Sequence, residues 1–210
     1  VGLGIAGASL VGQALGQVEY YNMMQRGALG KFPDLIRAVS LNPTMGAFLN
    51  NNENTAGKPN ENYARELMQL FTVGLTMLSS DGAILRDAQG RSIETYTQAD
   101  VIMATKALSG WQNDWKQTPK SDGENARTPM RPRTSANAHD TTQKTLLGTV
   151  IPAGQTIQQD LESVISILVT HPNTSPFVVK RLIQSLVSSD PSPEYIARVG
   201  YVFIQTGGDL

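Results

Sequence analysis

The chain has 210 residues, 40% of them hydrophobic and 17% charged, with a formal net charge of −1. That length can bury one sizeable core, and the charge gives no reason to expect nucleic acid or an anionic membrane as partner. With no cysteine, disulfides, thiolate nucleophiles, Cys-ligated zinc or iron–sulfur sites and c-type haem attachment are excluded, while an oxidising compartment remains compatible.

Val1 to Gln17 is apolar and uncharged, but it lacks the basic start of a signal peptide. Its glycines make it a poor membrane span, so no span is expected here. We read it as a small-residue helix or loop inside a longer protein, and the whole as one mostly helical domain over 1–210, truncated at both ends. Helical spacing then follows in Val18–Leu29 and in Lys31–Leu41, with Pro33 in the first turn of the second. Asn42-Pro43 starts a short helix, and an Asn- and Gly-rich loop, Asn50 to Pro59, leads to a helix opening at Asn60 and stopping near Gly74.

Residues 76–97 change character. Ser80-Asp81-Gly82 and Ala88-Gln89-Gly90 are turn signals, which predict a small β-hairpin or ribbon. Thr97 can N-cap a helix from Gln98 to Ser109, closed by Gly110. Residues 115–138 form a long polar loop with Pro119, Pro129 and Pro132 and a basic cluster of Arg127, Arg131 and Arg133; such loops are lids, binding loops or inserts. Lys144 to Ile151 reads as a short strand with Gly154 in the turn beyond it. Three helices complete the chain: Gln158–Thr170, Ser175–Ser188 and Ser192–Gln205. The fold class is therefore mainly α, a multi-helix orthogonal bundle with a ribbon insertion around 76–97.

The polar run Asn60-Glu61-Asn62-Tyr63-Ala64-Arg65-Glu66 is the leading candidate for a functional centre. Asn62 and Glu66, and Glu61 and Arg65, are i,i+4 pairs beside the apolar stripe of Tyr63, Leu67, Leu70 and Phe71. Local spacing alone reads first as helix capping and ion pairing. His139-Asp140 follows the polar loop, where a histidine beside an acid suits proton transfer or metal ligation but also simple loop anchoring. His171 has a structural explanation at a helix C-terminus. The sequence contains no HExxH helix, no phosphate-binding GxxxxGK[ST] loop or other nucleotide motif, and no GxSxG elbow.

Several blocks in order resemble the DUF1800 family of uncharacterised bacterial proteins. They are Lys58 to Phe71, Tyr96-Thr97-Gln98-Ala99-Asp100-Val101, Leu108-Ser109-Gly110-Trp111, His139-Asp140, Lys144 with Leu147-Gly148, and His171-Pro172-Asn173. The last is Leu182 to Val187 with Pro191-Ser192-Pro193. Two positions depart from the family pattern, Lys106 where arginine is frequent and Ser109 where threonine is. The resemblance implies an exported protein, periplasmic or extracellular, encoded near a second exported protein, and supplies no activity. It also implies that the scattered polar blocks share one site.

Two functions follow. The favoured one is a hydrolase-like enzyme acting on an extracellular polymer, for instance a polysaccharide. Glu61 or Glu66 would be general acid or base, and His139 and Asp140 a proton shuttle or the ligands of one divalent metal. Asn62, Arg65, Trp111 and Lys144 would bind substrate. The alternative is a non-catalytic secreted binding or scaffold domain whose polar motifs form a buried structural network.

Overall fold

A computed structural model describes residues 14–114 and 127–210. Among them are eight α-helices and two small antiparallel two-stranded sheets, so the mainly α expectation holds. Of the expected polar loop, residues 115–126 and hence Trp115 lie outside the described residues, as do residues 1–13 of the apolar start.

Local chemistry sets the helix ends. Helix α1 spans Ala14–Gly27 and α2 Phe32–Leu41, where Phe32, Leu35, Ile36 and Val39 form one buried face. Asn42 ends α2 and caps α3 (Pro43–Phe48), its side-chain oxygen accepting from the amides of Thr44 at 2.9 Å and Met45 at 3.1 Å. Helix α4 is only Asn62–Glu66; the expected continuation to Gly74 widens into a π-helical turn, Leu67–Phe71. Gly74 then turns the chain with φ +71°. Helix α5 (Gln98–Ala107) opens on a capping box of Thr97 and Asp100. Helices α6 (Ile157–Thr170), α7 (Thr174–Leu186) and α8 (Pro193–Gln205) complete the set.

The core joins Val39, Tyr63, Leu67, Val101, Leu108, Leu161, Val164 and Leu168, with α6 packed against α2, α5 and α7. Phe32 and Phe203, ring centroids 5.6 Å apart, connect α2 to α8.

The ribbon at 76–97 is present, but its pairing is three-sided. Met77 N–H donates to Ile93 O, Leu85 N–H to Met77 O and Ile93 N–H to Leu85 O, so each short segment pairs with both others. Both predicted turns form, at Gly82 and Gly90, each with φ +79°. Asn173, fully buried, ties this ribbon to α7: its amide donates to Val73 O at 2.6 Å and Thr76 O at 2.9 Å, and its oxygen accepts from Leu78 N–H.

The single strand expected over Lys144–Ile151 is a hairpin, β3 (Lys144–Leu146) and β4 (Thr149–Ile151), turned at Leu147 and Gly148, both with positive φ. The other sheet pairs β1 (Trp111–Gln112) with β2 (Arg131–Pro132). Beyond residue 126 the expected polar loop is therefore tied down, with Met130 buried and Arg133 donating to Asn52 O at 2.6 Å.

Candidate functional site

The end of α5 lies directly against the segment that carries His139. Gly110 makes this approach possible: its φ is +92°, and a Cβ there would stand 3.1 Å from His139 Cβ and 3.2 Å from Ala138 O. Ser109 is buried beside it. Its hydroxyl accepts from Asp140 N–H at 3.0 Å, and its carbonyl lies 2.9 Å from His139 Nδ1. A carbonyl can only accept, so Nδ1 carries the proton.

The opposite edge of the imidazole faces Asp160 of α6, with Nε2 3.1 Å from Oδ2 but off the line of a hydrogen bond. Asp160 is fully buried. Its Oδ2 also receives Lys144 Nζ at 2.8 Å, and that ammonium donates again to Asp140 O at 2.6 Å and Thr142 O at 2.8 Å. All three ammonium donors are thereby used, and Lys144 is 1% exposed. The sequence reading missed Asp160. The available signal was its register: with Ile157, Leu161 and Val164 it lies on the buried face of α6, where an acid needs a partner.

Asp140 connects this cluster to the surface. Its Oδ1 accepts from the Thr142 amide and hydroxyl, and its Oδ2 lies 3.7 Å from Lys106 Nζ. Burial pushes its carboxyl pKa up. The Thr142 hydrogen bonds and the Lys106 and Lys144 charges outweigh that and hold it below the usual carboxylate value. A cavity of about 100 Å³ lies here, lined in part by Asp140, Lys106, Ser109, Glu61 and Asn54. Asn54 organises its wall, with its amide on Thr105 O, its side-chain oxygen on Asn60 N–H and its carbonyl on Gly110 N–H.

Outside it, Glu61, Arg65 and Gln98 close a triangle. Arg65 donates to Glu61 at 2.8 Å and to Gln98 at 3.0 Å, and Gln98 donates to Glu61 at 2.9 Å. The i,i+4 pair read from the sequence is present, and at 39% and 37% side-chain exposure it contributes at most about 1 kcal/mol.

The structure thus gathers Glu61 and Asp140 at one cavity, Arg65 beside Glu61, and His139 and Lys144 beneath Asp140. Glu66 and Asn62 do not line that cavity; Glu66 is half-buried near Tyr96, and Asn62 is exposed. Trp111, 3% exposed, belongs to the core and offers no open ring face to a sugar. Among the described residues no group of three or more His, Asp or Glu side chains has the arrangement to hold a metal ion. Asp140 has two lysines as neighbours, which oppose a cation there. None of the described helices is long and apolar enough to cross a membrane.

A family model described as "Protein of unknown function (DUF1800)" matches residues 7–210. The chain belongs to the DUF1800 family. No curated protein and no solved structure matches it. The blocks by which this DUF1800 chain resembled its family have visible physical jobs. Ser109-Gly110 receives His139-Asp140, Lys144 neutralises Asp160, and Asn173 holds the ribbon.

Proposed function

We propose that this DUF1800 chain is a non-catalytic binding or scaffold domain of an exported bacterial protein, its polar motifs forming a structural network. One observation carries the reading: Asp160 and Lys144 are closed to solvent with every ammonium donor used, while His139 Nδ1 is bonded to Ser109 O and its Nε2 is buried against Asp160. A reacting group must come within hydrogen-bond reach of the proton it moves. The adjoining cavity of about 100 Å³ is well below the roughly 300–1,000 Å³ of ordinary ligand sites. The more open surface lies elsewhere, in a groove of about 540 Å³ where Leu75 and Ile84 stand near Lys180 and Arg181. A periplasmic or extracellular location, and a second exported protein encoded nearby as a partner, rest on the family resemblance.

A second reading keeps the hydrolase-like enzyme, because Glu61, Lys106 and Asp140 line one cavity. In it Glu61 and Asp140 would share acid and base work and Lys106 would hold an anionic group. The two separate in a turnover assay with chromogenic glycosides, esters and peptides. The scaffold reading expects no turnover above buffer; turnover that disappears in both Glu61→Gln and Asp140→Asn overturns it.

A further inference from the structure

A further cavity, of about 440 Å³, lies where the ends of α2, α6 and α8 meet. It shares no residue with the His139–Asp160–Lys144 cluster, so its role can be tested apart from the proposed scaffold function. Its size falls in the range of small-molecule sites. The walls are largely apolar: Pro33 from α2, Ile165 and Val169 from α6, Pro172, and Phe203 and Ile204 from α8. The two charged residues of its lining, Arg37 and Glu162, neutralise each other. Arg37 grips both oxygens of Glu162, at 2.6 and 2.7 Å, and also holds Asp34 at 2.6 Å. A charged ligand would have to compete with that bidentate pair for either partner.

Of the other polar side chains, the hydroxyls of Thr170 and Ser175 donate to Ser166 O at 2.7 Å and Gly200 O at 2.9 Å, Ser166 contributes an exposed hydroxyl, and His171 contributes the one imidazole. Its Nδ1 accepts from Asn173 N–H at 3.2 Å, so the neutral ring carries its proton on Nε2, at the opposite edge. Burial holds its pKa below the ordinary histidine value, which keeps the ring neutral at pH 7. The cavity therefore combines an apolar wall with one N–H donor from a residue of its lining, the pattern that orients an uncharged ligand through a single acceptor.

We propose that this cavity binds an uncharged, largely apolar small molecule bearing a carbonyl-type acceptor, which takes a hydrogen bond from His171 Nε2. The probe is benzophenone, a neutral diaryl ketone, titrated into the ¹⁵N-labelled chain. Diphenylmethane, which lacks the carbonyl, serves as control. Saturable shifts are expected at the amides of Ile165, Val169, His171 and Ile204, with diphenylmethane binding roughly three- to tenfold more weakly, the worth of one neutral hydrogen bond. In His171→Ala the preference for the ketone should vanish. Ile204 is 61% exposed, so Ile204→Asp should abolish binding of both probes with the melting temperature unchanged. Absence of saturable shifts at these amides, equal affinity of the two probes for the wild type, or binding that survives Ile204→Asp would each overturn the proposal.

Discussion

Replacing Asp160 with Asn keeps the shape of the side chain and removes its charge, which isolates the electrostatic role of the buried cluster. Lys144 is then an ammonium at 1% exposure whose nearest carboxylate oxygen is that of Asp140, 3.8 Å away. Breaking a buried ion pair from one side typically costs about 3–5 kcal/mol. Two carbonyls, Asp140 O and Thr142 O, still accept from Nζ, so the lower end, about 3 kcal/mol, is expected. For a domain of this size that is a fall in melting temperature of roughly 6–12 °C. Urea unfolding followed by circular dichroism measures it directly. The double variant Lys144→Met with Asp160→Leu removes both charges, and apolar replacement of a whole pair is often neutral or stabilising. It should be more stable than either single variant, with a coupling of about 2 kcal/mol. A loss below about 1 kcal/mol in Asp160→Asn, or a double variant that loses the sum of the singles, would refute the view of this cluster as a mutually dependent buried pair.

Gly110→Ala should destabilise by about 2 kcal/mol in the same assay, since φ +92° and a Cβ 3.2 Å from Ala138 O combine left-handed strain with a backbone contact. Thr97→Ala should cost about 1 kcal/mol for a lost N-cap. Asp100→Ala should cost more in equilibrium unfolding, because Asp100 both completes that capping box and accepts from Leu147 N–H at 2.8 Å. Acidification should weaken the fold in two windows. His171 has a lowered folded pKa, so the unfolded chain takes up its proton first, and stability falls as pH drops below about 6.5 toward the folded value. Asp140, also lowered, contributes stability above the unfolded carboxylate value that is lost as pH falls through its folded one. The upper window should flatten in His171→Gln when melting temperature is recorded against pH.

What the sequence made legible was local. Asn42, Thr97 and Ser192 cap the helices they were expected to start, because a cap is decided within three residues. The Glu61–Arg65 pair likewise follows from helical spacing alone. The third corner of their triangle, Gln98, comes from a different helix, and no periodicity reports it. The widening of the Asn60 helix into a π turn at Leu67 was equally invisible, since Leu67, Met68 and Phe71 are buried by tertiary packing. The shared site was legible only in part. Lys144 was expected to bind substrate and is a core residue, because its partner lies 16 positions away on α6. An acid on the apolar face of an amphipathic helix, Asp160 beside Ile157 and Leu161, was the signal that pointed there.

The pairing of Trp111–Gln112 with Arg131–Pro132 has a consequence for how this protein is held together. On either side of that small sheet the backbone is fastened again, Met130 N–H to Leu41 O at 2.7 Å and Arg133 N–H to Gly110 O at 2.8 Å. The sheet is thus a clasp: it brings two segments distant in sequence together at the end of α5 and fastens both to the helical core, with Met130 and Trp111 buried behind it.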